Sequence, residues 1–231
     1  MLSEAELATL LLSLKVSGVA TLVGLPLSLM LGLLLARGHF RGRWLLDMLV
    51  HLPLVVPPVV IGFLLLLIFS PSAGLGSWLD QLGLGLAFSW RGAALAAMIM
   101  ALPLMVRMIK LALDSEDPAL AEASALLGCG RVRHFFCVSL PVIMPAIIGA
   151  TVIGFARAFG EFGATITFAA NIPGVSQTLP LALYSAAADP AGEAAALRLL
   201  VLTLIPAMAA IITSEWLARR IARRSRTGGS V

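Results

Sequence analysis

Residues 122–141 read EASALLGCGRVRHFFCVSLP. The stretch is polar and rich in small side chains. It separates two apolar segments, each long enough to cross a bilayer. Asp117-Pro118 stands just before it: a side-chain acceptor for a helix N-cap, then the imino acid tolerated at the first helical position. Residues 119–127 are strong helix formers. Gly128 stands where a left-handed cap would end that helix. A second short segment, 131–138, leads into Leu140-Pro141 and the next apolar run. Two short helices around glycines, lying on a membrane surface, form a docking platform for another protein.

The rest of the chain agrees with a membrane setting. Of 231 residues, 60% are hydrophobic and only 12% charged. The mean hydropathy is +1.01. That composition excludes an ordinary soluble domain and points to an all-α integral membrane protein. Ten-residue alternating strands are absent, so helices are the spanning solution. Five transmembrane helices are expected, at about 8–36, 45–69, 92–113, 140–168 and 194–217, in one domain covering 1–231. The segment 114–139 is the loop between the third and fourth.

The first span would be roughly 43 Å long as a straight helix, so it should tilt or project. Pro26 should bend it, and Lys15 can snorkel. The second contains HLPLVVPPVV, with Pro53, Pro57 and Pro58. Prolines so close together remove backbone donors and distort the helix. Such backbone is tolerated only inside protein or along a water-filled path. Pro57 and Pro58 are therefore either pathway residues or a packing kink. The turn Asn171-Ile172-Pro173-Gly174 follows the fourth span. Residues 178–188 are too few to cross and predict a surface or re-entrant helix, ended by Asp189-Pro190.

Net charge is +4, but the basic residues are placed for topology rather than for nucleic acid. Arg219, Arg220, Arg223, Arg224 and Arg226 follow the last span, and Arg37, Arg41 and Arg43 follow the first. The N-terminus, the loop after the second span and the segment after the fourth are nearly free of Lys and Arg. The expected topology has the N-terminus outside and the C-terminus in the cytoplasm, together with the loop after the first span and the loop 114–139, which holds Arg131 and Arg133. MLSEAEL lacks the basic region of a cleaved signal peptide, so the first apolar segment is expected to be retained. Cys129 and Cys137 flank His134, but three ligands at no known zinc spacing make a weak metal site; two reduced cytosolic thiols fit better.

No enzyme constellation is present. There is no G-x-x-x-x-G-K-[ST], H-E-x-x-H or G-x-S-x-G, and the only lysines are Lys15 and Lys110. The chain reads as a non-catalytic membrane subunit. Its energy must come from a partner or an ion gradient. Gradient-driven transporters usually show inverted repeats and ionisable residues at mid-membrane, and neither is visible.

Glu122-Ala123-Ser124, Gly128, Val138, Leu140 and Pro141 resemble the EAA loop of importer-type ABC transporter permeases. In that pattern Glu-Ala-Ala is followed by Gly, then by Ile and Leu-Pro at fixed spacing. Ser124 stands for an alanine and Val138 for an isoleucine. The resemblance implies an ABC importer permease fold and a coupling helix seated in a groove of a separate ATPase subunit. Glu122, Ala123, Ser124, Leu127 and Gly128 would dock, with Leu140 and Pro141 closing the motif. Physical chemistry fits that role. Ala121, Ala123, Ser124 and Ala125 allow close approach, Leu120, Leu126 and Leu127 are apolar anchors, and Glu122 can meet an arginine of the partner.

HLPLVVPPVVIG (51–62), ARAFGEFGATITFAANIPG (156–174) and the terminal SEWLARR are similar to molybdate permeases. By that resemblance the chain is the permease subunit of a bacterial molybdate importer in the cytoplasmic (inner) membrane. It would work as a homodimer with two ATPase subunits, which use ATP-Mg, and an extracytoplasmic oxyanion-binding protein. The chain itself would bind no cofactor, metal or nucleic acid. Tungstate or sulfate/thiosulfate are alternative cargoes.

Within 156–174, Arg157 and Glu161 are four apart, so on one helix they share a face and can pair. The pair either shapes an outer gate or locks the fourth span. Gly154, Gly160 and Gly163 are expected to allow close packing on a second subunit. Thr165 and Thr167 are candidates to donate hydroxyl hydrogen bonds to a passing oxyanion.

Overall fold

Ser3 and Glu6 close a capping box at the start of α1 (Glu4–Arg37). The Ser3 side chain accepts from the Glu6 N–H at 3.1 Å, and Glu6 accepts from the Ser3 N–H at 2.8 Å. The computed structural model describes residues 3–227, and every regular element among them is helical. After α1 come α2 (Arg43–Val55), α3 (Pro58–Phe69), α4 (Gly74–Gln81), α5 (Trp90–Asp114), α6 (Pro118–Leu126) and α7 (Arg131–His134). A π-helical turn, Phe135–Ser139, joins α7 to α8 (Leu140–Phe159), followed by α9 (Gly163–Phe168), α10 (Leu179–Ala188) and α11 (Glu193–Thr227). Among the described residues, α1, α5 and the run Val132–Phe159 are long and apolar enough to cross a membrane; α2 with α3 counts as a fourth, broken span. The expected fifth span falls within α11. The side chains of the arginine tail lie outside the described residues.

Small residues hold the centre together. Thr9, Ser13, Ser17 and Thr21 form a buried stripe on α1, each hydroxyl donating to the carbonyl four residues earlier at 2.7–2.9 Å. With its hydroxyls satisfied, the stripe can pack without polar cost. Further along, a Cβ on Gly24 would lie 3.3 Å from Met98, and one on Gly32 would lie 2.9 Å from Ile109. The facing surface of α5 is built from Ala93, Ala97, Ala101, Met105 and Ile109. The Met105 sulfur also meets α8: a Cβ on Gly154 would come 2.5 Å from it. Gly154 is buried and serves packing within this chain.

Contacts at the helix ends fix their relative directions. Lys15, early in α1, is exposed and places its ammonium 3.7 Å from the ring centre of Trp90, the first residue of α5. Arg37 ends α1 and pairs with Glu116, just past the end of α5. These two helices run parallel. Ser139, at the start of α8, donates to Glu116 at 2.9 Å, so α8 runs back against them. The chain must therefore return between Arg37 and Trp90, and it does so through α2, α3 and α4.

Two expected spans are not single helices. α2 and α3 meet at 116°, because Val56 and Pro57 each precede a proline and are both extended, with ψ of 136° and 134°. The fourth span, expected through 168, stops at Phe159. Gly160 closes it, and α9 restarts as a separate helix.

Candidate functional site

The segment after α5 is organised by its own caps. Asp117 accepts from the Ala119 N–H at 2.9 Å, and Pro118 occupies the first turn of α6. At the other end Gly128 has φ +72°. The Gly128 N–H donates to Ala125 O at 3.0 Å and the Cys129 N–H to Ser124 O at 2.9 Å, a complete Schellman closure. No residue of α6 is buried. Glu122, Ala123 and Gly128 are exposed, and Leu126 and Leu127 are 88% and 87% exposed. The apolar anchors and the acid thus stand on an open surface.

Beneath this surface lies a polar network. The Glu116 side chain is 5% exposed and meets Arg37 and Ser139, while His134 Nε2 stands 3.5 Å from its Oε1. His134 Nδ1 lies 2.7 Å from the Ser124 hydroxyl, which itself donates to Ala121 O at 2.9 Å. The network ties α6 to the ends of α1 and α5 and to the start of α8. His134 is thereby turned toward Ser124 and Glu116.

The other candidate residues converge at the junction of α3 and α9. A Cβ on Gly62 would lie 2.5 Å from Ala164 O and 2.7 Å from the Thr167 hydroxyl; one on Gly163 would lie 2.8 Å from Pro58 Cβ. Two glycines thus let two backbones about a hundred residues apart in sequence touch. Ile61, Leu65, Ala96, Met100, Ala164 and Phe168 fill the space around them. Arg157 Nη1 donates to Glu161 Oε2 at 2.5 Å, and Glu161 Oε1 accepts from the Ala164 N–H at 2.9 Å. The pair expected from sequence forms, but not on one helix face. Glu161 sits in the break, its side chain 2% exposed, and joins α8 to α9. Thr167 donates to Gly163 O at 2.6 Å and Thr165 is 1% exposed, so neither hydroxyl faces an open path in this conformation.

The sequence model of the family described as "binding-protein-dependent transport system inner membrane component" matches residues 25–227. The chain belongs to this family. It is 50% identical over 219 residues to the molybdenum transport system permease protein ModB of Escherichia coli (strain K12), covering 94% of this chain and 96% of that one. It is 43% identical over 220 residues to ModB of Haemophilus influenzae, covering 95% and 96%. Among solved structures, a chain of the MetNI methionine ABC transporter, crystallised in inward-facing conformations, superposes with a TM-score of 0.75. The match covers 95% of this chain and 99% of that one at 17% identity, a likeness of fold.

In this member of the transport-system inner membrane family, the sequence reading missed Glu116, Arg37, Ser139 and His134 as a unit. Arg37 and Glu116 are 79 residues apart and Arg37 and Ser139 102 apart, so no local pattern links them.

Proposed function

We propose that this chain is the permease subunit of an ATP-driven importer that carries molybdate across the bacterial cytoplasmic membrane. The observation that carries the proposal is the 50% identity to a molybdenum permease along nearly the whole of both chains. Five spans with the N-terminus outside would put the loops holding Arg37 and Glu122 on the cytoplasmic side, where ATP is. Two copies would form the pathway at their two-fold interface. An ATPase subunit would dock on each copy through Glu122, Ala123, Ser124, Leu127 and Gly128, with Leu140 and Pro141 passing the motion into α8. Closure of the two ATPases would draw the α6 helices together and open the pathway outward, where a loaded binding protein releases its cargo. The Glu116 cluster supports this reading, because Arg37, Glu116 and Ser139 join the ends of α1, α5 and α8 beside α6, and the contact of His134 with Ser124 reaches α6. Pro57, Pro58, Arg157, Glu161, Thr165 and Thr167 would shape the gate at the α3–α9 junction, with the Arg157–Glu161 pair holding the two halves of the fourth span. The chain itself would bind no nucleotide, cofactor or metal.

The test is uptake of labelled molybdate into vesicles holding the chain, its ATPase and its binding protein. Uptake should require ATP hydrolysis and should be competed by excess tungstate or sulfate only if those share the route. Uptake that continues without ATP hydrolysis overturns the importer reading.

A further inference from the structure

One ionisable cluster has no part in the account above. Arg107 and Lys110 lie three apart on α5, and Asp47 and His51 four apart on α2, so each pair shares a helix face. With Leu111 these four line a cavity of about 230 Å³ between the two helices. Lys110 Nζ is 3.8 Å and His51 Nδ1 3.4 Å from Asp47 Oδ1. The Asp47 carbonyl oxygen accepts from His51 Nδ1 at 2.8 Å, which fixes the ring. Arg107 is exposed and forms no ion pair among the described residues. A second cavity, of about 400 Å³, shares Asp47 and Lys110 and adds Arg41 and Arg43 between Phe40 and Trp44. Four cationic side chains thus stand around one carboxylate, whose Oδ1 makes no hydrogen bond among the described residues and has Lys110 and His51 as its nearest ionisable neighbours.

We infer that the α2–α5 cavity binds a tetrahedral oxyanion. Guanidinium and ammonium groups only donate, and one helical turn separates them. An anion with oxygens pointing four ways can take hydrogen bonds from Arg107 and Lys110 at once; a planar carboxylate fits one fork or the other. Asp47 positions Lys110 and His51 and leaves Arg107 as the uncommitted donor. The cavity lies roughly 10 Å before the end of α5, in the half of the bundle that ends at the docking loop. The site rests on the transport reading, since it places the oxyanion at the cytoplasmic mouth. A transported dianion and a phospholipid phosphate present the same chemistry there.

The test uses the permease–ATPase complex, without binding protein, in nanodiscs of purely zwitterionic lipid, with labelled molybdate in equilibrium dialysis. The wild type should bind, Arg107→Gln should bind at least about tenfold more weakly (~1.4 kcal/mol), and Arg107→Lys should recover most of the affinity. A parallel arm uses nanodiscs containing phosphatidylglycerol and native mass spectrometry. Arg107-dependent retention of that lipid, without molybdate binding, supports the site with a lipid phosphate as its ligand. Equal binding of both probes by wild type and Arg107→Gln overturns the site, as does binding of neither. Because Arg107 is exposed, its replacement should leave assembly intact, which co-purification with the ATPase checks. Vesicle uptake by the wild type, measured separately, tells failure of this site from failure of the transport reading.

Discussion

Glu116 and Glu122 lie six residues apart, and the fold gives them opposite surroundings. Glu116 is closed in by Arg37, Ser139 and His134, whereas Glu122 stands free on α6. Glu122→Lys should therefore leave folding unchanged and weaken ATPase association, read by co-purification from detergent; unaltered association would place the contact elsewhere. A glycine pair separates two kinds of constraint in the same way. At Gly62 an added methyl would strike the Ala164 carbonyl, and α3 and α9 must part. At Gly128 the space is open but φ is +72°. Gly128→Ala should cost about 1–2 kcal/mol of local strain. Gly62→Ala should cost about 1–3 kcal/mol and loosen the junction. Thermal unfolding of the two variants, with proteolysis within α9 as the local readout, should show loosening only for Gly62→Ala.

Elements were legible where their causes are local. Asp117, Pro118 and Gly128 announce both ends of α6, because capping needs only neighbours in sequence. Pro57 and Pro58 announce a distortion, though not an angle of 116°. The break after Phe159 was not legible. Gly-Glu-Phe can continue a helix, and what stabilises the interruption is remote: Gly163 against Pro58, and Glu161 on the Ala164 N–H. That carboxylate depends on Arg157, so Arg157→Ala should leave it buried and unpaired. The expected loss is about 3–5 kcal/mol, seen as a lower unfolding temperature, and Arg157→Ala/Glu161→Gln should recover part of it. The start of α1 has an ionic tie of its own. The Ser3 N–H, then Arg198 at 2.8 Å, hold the Glu6 carboxyl below its ordinary value of 4.5. A depressed carboxylate stabilises the fold at pH above the unfolded value and loses that contribution as pH falls through the folded value. Unfolding midpoints of wild type and Glu6→Gln should therefore differ above about pH 4.5 and converge in more acid solution.

At the scale of the molecule, the directions of the long helices and the placement of charge make one argument. α1 and α5 end together, α8 starts beside them, and Arg37, Arg41, Arg43 and the docking loop all belong to that end. The opposite end carries the Glu6–Arg198 pair and the Lys15–Trp90 contact, and its connecting loops are poor in Lys and Arg. By the positive-inside rule such asymmetry would put that end in the cytoplasm, the orientation proposed above. The chain contains its own probes of this assignment, since Cys129 and Cys137 are its only cysteines, both are free, and both lie at the docking end. Cys137 is exposed and Cys129 half-buried. A membrane-impermeant maleimide should leave the chain unlabelled in intact spheroplasts and modify Cys137 in inside-out vesicles stripped of ATPase. Cys137→Ser should remove most of that signal. Labelling from outside would invert the topology and remove α6 from the reach of any cytoplasmic ATPase. Adding the ATPase to stripped vesicles of the Cys137→Ser variant makes the same experiment report docking: Cys129 lines one cleft with Ala121, Ser124 and Phe136, so a subunit seated there should slow its residual labelling. In Glu122→Lys vesicles that protection should fail while the sidedness stays the same. That outcome would separate the surface proposed to bind the partner from the helices that fix its orientation.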